Sequence, residues 1–304
     1  MSLLTAGRVD VLGAIALDTQ LQVERMPEPS EVISASRTIT GLGGRGANQA
    51  VAIARSGVDA RLFASIGDDE AGSLVKEELA SYGVDTELVT VHPGEITGHG
   101  YTFASADRSY RTVVVPGANL HTDAAAIREL ADRFATAAVV LVQGEIGFRA
   151  VEETLHLAEQ WTGRLVLNPG PLVDIDHELL RRPDVLILNG REAALLVGAE
   201  PTQDVSAIEE MAVELSALGT SVVVSVGSEG AVVAPHRRPV EFILARTTEV
   251  VDRAGAGDAF VGLVAAGIAR GLGVQEAAET AVREATRTVG RRGAVQSYPT
   301  FDWQ

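Results

Sequence analysis

A chain of 304 residues, 46% apolar and 22% charged, is long enough for one sizeable core and ordinary in composition for a globular protein. The absence of cysteine excludes disulfides, thiolate metal sites and a cysteine nucleophile. A formal charge of −16 argues against nucleic acid or an anionic membrane as partner. No apolar run is long enough to span a bilayer, and no basic N-terminal region precedes an apolar run, so a cytoplasmic protein is expected.

Strand-like apolar runs are predicted at residues 9–15, 61–66, 138–142, 165–167, 185–188 and 221–226, with a further strand-like run at 247–251. Helical spacing is predicted over 47–56, 71–81, 124–134, 150–161, 205–218, 258–270 and 274–289. Alternation of short apolar strands with helices implies an α/β core, a mainly parallel sheet with helices on both faces. Two stretches break that rhythm. Residues 17–40 and 97–115 alternate apolar with polar, the pattern of antiparallel strands wet on one face, and together predict a small β-sheet projecting as a lid, a dimer interface or both. The core is then 1–16, 41–96 and 116–304.

Several motifs bear on chemistry. Asp18 closes the first predicted strand and can accept hydrogen bonds from vicinal hydroxyls, or serve as a turn residue. Gly41 to Gly46 satisfies G-x-G-x-x-G literally, but it follows the insertion instead of joining the first strand to the first helix, which disfavours a dinucleotide-binding dehydrogenase. Lys76 is the sole lysine among 25 basic residues, so a Walker-type loop and Schiff-base chemistry are absent. The six histidines are scattered, with no H-x-x-x-H pair for zinc.

Asp252-Arg253-Ala254-Gly255-Ala256-Gly257-Asp258 reads as a glycine turn opening into a helix. Unpaired N–H groups and the positive end of the helix dipole favour an anion there, and Gly255 and Gly257 let a phosphate approach closely. Asp258 stands where a carboxylate can take a proton beside that anion. Taken alone, the turn is equally well read as a plain helix cap.

Gly43-Gly44-Arg45-Gly46-Ala47-Asn48, together with the Gly-Ala-Gly-Asp turn, resembles the two signature regions of the ribokinase-like (PfkB-type) carbohydrate kinases. The similarity runs over nearly the full chain, through Ile66-Gly67-Asp68-Asp69, Gly94-Glu95-Ile96-Thr97-Gly98, Pro116-Gly117-Ala118-Asn119, Asn168-Pro169-Gly170-Pro171, Asn189-Gly190-Arg191-Glu192 and Gly227-Ser228-Glu229-Gly230.

The resemblance implies ATP-dependent transfer of a phosphoryl group to a sugar hydroxyl. It implies that Asp258 is the base and that Gly255, Ala256 and Gly257 supply the anion cradle. Asp18, Gly44, Asn48, Glu145 and Asp258 would hold the sugar; Asn189, Glu192, Gly227, Ser228, Gly230 and Gly257 would face the nucleotide. Glu192 would organise Mg²⁺ through water, and Asp252 with Ser297 would flank a monovalent cation such as K⁺. A homodimer through the lid is expected.

Three departures stand out. Ala16 replaces the asparagine of an N-x-D pattern usual in members acting on ribose, Arg253 and Ala254 replace two common threonines, and Arg45 replaces the usual lysine, with little consequence expected. Acceptors left open are a nucleoside, a keto-sugar, a sugar acid or a phosphosugar; the last two would call on Arg45, Arg108 and Arg111. A non-catalytic sugar- or nucleotide-binding protein is the alternative of another class.

Overall fold

The computed structural model describes residues 7–105, 109–134, 136–171 and 175–303, so Arg108 lies outside the described residues. The chain forms β1 (Val9–Leu12), leaves the core for β2 (Ala16–Val23) and β3 (Arg37–Gly43), and returns in α1 (Arg45–Arg55). Then come β4 (Ala60–Gly67), α2 (Glu70–Ser81) and β5 (Val89–His92), a second excursion through β6 (Gly98–Ser105) and β7 (Tyr110–Val115), and α3 (Ala124–Phe134). The rest runs β8 (Val139–Gln143), α4 (Phe148–Leu157), β9 (Arg164–Asn168), β10 (Val185–Asn189), α5 (Gly190–Leu196), α6 (Val205–Ser216), β11 (Ser221–Ser225), β12 (Gly230–Ala234), β13 (Glu241–Leu244), α7 (Ala256–Ala269) and α8 (Val274–Thr288).

Among the described residues nine strands form one sheet in the order β13-β12-β11-β10-β9-β8-β1-β4-β5. It is parallel from β11 to β5, and β12 and β13 add antiparallel at one edge. The strands read as continuous apolar runs because both faces are covered. Val139, Leu141 and Val223 pack with α1, α2, α7 and α8, while Val140, Val142, Val222 and Val224 pack with α3, α4 and α6. Helix α7 is buried nearly all round from Ala259 to Gly267, which is why its sequence shows so little amphipathic pattern.

The two insertions meet in a separate four-stranded sheet, β3-β2-β6-β7, as the alternating pattern predicts. Its outer pairs are antiparallel, but the central pair, β2 with β6, is parallel, because both insertions leave the core in the same direction. Asn119 clamps the crossing points: its side chain bonds both the N–H and the C=O of Ile15, at 3.0 and 2.7 Å, and the Pro116 carbonyl at 2.9 Å.

Four other expectations are corrected. The first strand ends at Leu12, and Asp18 lies within β2 of the small sheet, not at the end of the first strand. Residues 247–251 form no strand: they are exposed throughout, with no apolar face to bury, and β13 takes the sheet edge. The helix expected over 150–161 gives way at Ala158 to a 3₁₀ turn, Ala158–Gln160. Strands β5, β12 and β13 were not predicted.

Candidate active site

Two glycine contacts bring the site together. A Cβ on Gly46 would lie 2.6–2.7 Å from the Gly13–Ala14 backbone, so the first turn of α1 rests directly on the end of β1. A Cβ on Gly262 would lie 2.6 Å from the Gln49 carbonyl, so α1 and α7 cross backbone to backbone. Asp258 is one turn before Gly262 in α7, which sets it against Arg45, Asn48 and Gln49 of α1. Gly44 precedes α1 with φ 84°, and it packs directly on the chain leaving β1: a Cβ there would lie 2.6–2.8 Å from the Ala14 to Ala16 backbone.

Asp258 is the hub of a hydrogen-bonded cluster. Asn48 Nδ2 donates to its Oδ2 at 3.0 Å, and Gln49 Nε2 and Arg45 Nε approach its Oδ1 at 3.2 and 3.4 Å. Arg45 Nη2 also donates to Asn168 Oδ1 at 3.0 Å, while its Nη1 stands 3.6 Å from Glu192 Oε1. The Arg45 backbone N–H donates to Glu145 Oε2 at 3.0 Å. Burial depresses the charged form of Arg45, but Asp258, Glu192 and Glu145 outweigh it and hold the guanidinium above its ordinary range. The planar fork of the arginine makes these contacts from three nitrogens, where a lysine would offer one ammonium. Neither Gln49 nor Asn168 was expected to touch Asp258 or Arg45, Asn168 being marked only by the Asn168 to Pro171 stretch.

Glu145 sits just past β8, in a short 3₁₀ turn fixed by Gln143, whose Oε1 accepts the Glu145 N–H at 3.0 Å. Burial raises the Glu145 carboxyl above its ordinary value, with Asp258 and Asp18 adding repulsion that Arg45 offsets in part. Asp18 faces the same cleft from the small sheet, between Gly43 of β3 and Gly100 of β6; a Cβ at either glycine would run into its carboxylate. Burial first, then the Asp258 charge, push Asp18 up to about 6, against a smaller pull from His99. By surface area the residue is exposed, because the cleft side of an otherwise enclosed carboxylate is open, and that side screens part of the effect.

The opposite end of the cleft is made of turns. Gly255 is left-handed at φ 74°, and its carbonyl accepts both the Ala259 N–H at 2.8 Å and the buried Tyr298 hydroxyl at 2.7 Å. Burial, then Asp258, raise the Tyr298 phenol well above its ordinary value, which keeps it a donor. A Cβ on Gly257 would meet nothing within 4 Å, so this side of the turn is open.

Asn189 and Glu192 cap α5 reciprocally at 2.9 and 3.0 Å, leaving Glu192 Oε1 turned toward Arg45. The Gly227–Ser228 turn follows Ser225, which pairs with Asn189, so it lies at the same sheet edge. Gly230, in contrast, is demanded by β13, since a Cβ there would strike the Ile243 carbonyl. Asp252 and Ser297 stand apart from the cluster. Both Asp252 oxygens accept backbone N–H groups, of Ala254 and Gly293 at 3.0 Å, and the Ser297 hydroxyl donates to the Ala294 carbonyl at 2.6 Å.

A family model described as pfkB family carbohydrate kinase matches residues 6–301. The chain belongs to that family. It is 29% identical to a ribokinase of Haemophilus influenzae over 290 residues, covering 95% of this chain and 94% of that one. Among solved structures it resembles ribokinase of Thermotoga maritima, with TM-score 0.86, 26% identity and 96% of each chain covered. It also resembles Arabidopsis thaliana ribokinase complexed with ribose and ATP, with TM-score 0.82, 27% identity, and 97% of this chain and 96% of that one covered. This pfkB-family kinase is thus a phosphotransferase with an alcohol acceptor, and its described residues include no helix long and apolar enough to cross a membrane.

Proposed function

We propose that the protein phosphorylates a hydroxyl of a neutral sugar from Mg-ATP, with Asp258 as the base. One observation carries this: α1 and α7 meet at the Asp258 carboxylate, at the mouth of an open glycine turn, and Arg45 ties Glu145, Asn168 and Glu192 to the same cleft. Asn48 Oδ1 is buried without a partner among the described residues, the state expected of an amide oxygen awaiting a ligand hydroxyl. Asp18 across the cleft accepts hydroxyls, and Glu145 lines the side between; Gly44, expected to admit the ring, instead seats the start of α1 on the Ala14 to Ala16 backbone.

The acceptor class follows from charge. Among the described residues Asp18, Glu145, Asp258 and Glu192 surround a single guanidinium, Arg45, so a sugar acid or phosphosugar meets net repulsion from them. Arg111 pairs with Phe103, and Asp18 with Gly100, so strand alternation puts Arg111 on the other face of the small sheet.

In the reaction the acceptor oxygen attacks the γ-phosphorus in line as its proton passes to Asp258, and the bond to the ADP oxygen breaks. Backbone N–H groups of Gly255 and Gly257 face the charge developing on the phosphoryl oxygens, whereas that of Ala256, expected in the same cradle, donates to the Arg253 carbonyl at 3.3 Å; Asn189 with the Gly227–Ser228 turn borders the remaining phosphates. Mg²⁺, when bound, neutralises phosphate charge. Among the described residues no cluster of three metal-ligating side chains exists, yet Glu192 Oε1 lacks a hydrogen bond, which fits an ion held mainly by water and phosphate. Asp252 and Ser297 fit K⁺ less well, since their side chains already brace the backbone around residues 293 and 294, and no step depends on a cation there.

The small sheet acts as a lid that excludes water. Tyr110, Val113 and Val114 on β7 are exposed by 75, 59 and 62%, an apolar edge that supports a homodimer through the lid, testable by light scattering. A cytoplasmic location accords with ATP as co-substrate.

The test is ADP release from Mg-ATP across pentoses, hexoses, keto-sugars, sugar acids and nucleosides, for the native protein and Asp258→Asn. At least one neutral sugar should stimulate release, and Asp258→Asn should lose about 10²- to 10⁴-fold in kcat while still binding ATP. Near-native turnover in Asp258→Asn, or response to anionic acceptors alone, would overturn the reading.

A further inference from the structure

We propose that Gln49 is a positioning residue for Asp258, an inference that rests on the kinase reading above. Gln49 is fully buried, and its Nε2 spends its two hydrogens on Asp258 Oδ1 at 3.2 Å and Asn168 Oδ1 at 3.0 Å. Its own Oε1 is buried with no partner among the described residues. A buried amide ordinarily satisfies both ends. Gln143 does so, its Nε2 donating to the Gly170 carbonyl at 2.7 Å and its Oε1 accepting the Glu145 N–H at 3.0 Å. Gln49 gives up that balance, and its orientation explains why. Turned over, its oxygen would face two acceptor oxygens, so the amide is held the way that serves the carboxylate.

Asn168 supplies the anchor. Its Nδ2 donates to the Ile187 carbonyl inside the sheet at 2.9 Å, so its Oδ1 is fixed, and Gln49 transmits that rigidity to Asp258. The other contact at Oδ1, Arg45 Nε, is longer at 3.4 Å, and the same guanidinium also reaches Asn168 and Glu192. Gln49 on Oδ1, opposite Asn48 on Oδ2 at 3.0 Å, therefore fixes the rotation of the Asp258 carboxylate, and with it the direction in which an oxygen lone pair meets the acceptor hydroxyl. Because α1 and α7 touch at Gly262, with the Gln49 carbonyl 2.6 Å from where a Cβ would stand, neither helix can slide to restore a lost bond.

The experiment is a double-mutant cycle of Gln49→Met, which keeps volume without a donor, with Asp258→Asn, read in kcat, in both KM values and in melting temperature. We expect Gln49→Met alone to lower kcat about 10- to 100-fold, as for loss of a hydrogen bond to a charged group, with both KM values within about threefold. In the Asp258→Asn background the same change should cost less than about threefold, because the group it positions is gone. Equal losses in the two backgrounds, or an unchanged kcat in Gln49→Met, would overturn the inference while leaving the base assignment intact. Near-native turnover in Asp258→Asn would overturn both. Should Gln49→Met fail to fold, Gln49→Glu is isosteric with the native amide and places an acceptor against Asp258. It should lose at least as much kcat at pH 8 with KM held, and a native kcat there would refute the role.

Discussion

Gly43→Ala offers a sharp test of the acceptor side, because the added methyl has one target. At Gly43 the three atoms nearest a built Cβ are the Asp18 carboxyl carbon and its two oxygens, and the backbone is not in the left-handed region. Alanine is therefore tolerated by the chain, and the Asp18 carboxylate must swing aside. A hydrogen bond to a charged group contributes about 1.5–3 kcal/mol. Losing one or both of the hydroxyl contacts assigned to Asp18 then costs about 2–4 kcal/mol, roughly 30- to 1000-fold in acceptor KM. The KM for ATP should stay within about twofold, and the melting temperature within about 4 °C, since the displaced group borders open cleft.

Steady-state kinetics with acceptor varied at saturating Mg-ATP reads this directly, with Asp18→Ala as comparator. The pH profile sharpens the assignment. Asp18 accepts hydroxyls as a carboxylate, and with its value raised to about 6 that capacity is present above pH 6 and lost as pH falls through it. From pH 7 to 5 the native acceptor KM should rise about tenfold, whereas Gly43→Ala should change little. A native KM in both Gly43→Ala and Asp18→Ala would refute the acceptor role of Asp18. A raised KM in Asp18→Ala alone would refute the packing argument.

Glu145→Gln should raise thermal stability most at high pH. The Glu145 carboxyl is raised in the fold by burial first, so the folded state binds its proton more tightly; that stabilisation is full below the ordinary 4.5 and disappears as pH rises through the folded value. The gain in melting temperature should be clear at pH 8 and nearly gone at pH 4.5, accompanied by weaker acceptor turnover; equal gains at both would contradict the sign. Gly255→Ala forces a methyl into a left-handed turn, about 1–2 kcal/mol, and 2.9 Å from Ala294 Cα, so melting temperature and kcat should fall together. Acceptor binding measured by calorimetry should survive, and its loss would count against a cradle confined to the phosphoryl group. Tyr298→Phe removes one of two donors to the Gly255 carbonyl, about 1 kcal/mol or 2–4 °C, and a larger change would mean that the hydroxyl has a further task.

What the sequence made legible was whatever depends on neighbours along the chain. The apolar runs placed the core strands, and the glycine turn placed Asp258 at the start of α7. Residues 247–251 misled because β-branched composition marks a strand only where there is something to bury, and every residue there is exposed. The parallel β2–β6 pairing was hidden for another reason: alternation shows which face is wet, not which way a partner strand runs.

Gln49 was illegible in a deeper way. A glutamine in the first half of an amphipathic helix reads as a surface residue, and only the crossing at Gly262 turns it inward onto a carboxylate 209 positions away. Arg45 shows the limit most plainly. A chain with one lysine accounts for an arginine at that position without reference to function. Yet the guanidinium reaches Asp258, Asn168 and Glu192 at once, which a single ammonium point cannot reproduce. Compositional drift explains how such a residue arrives; its geometry determines what the site then comes to require of it.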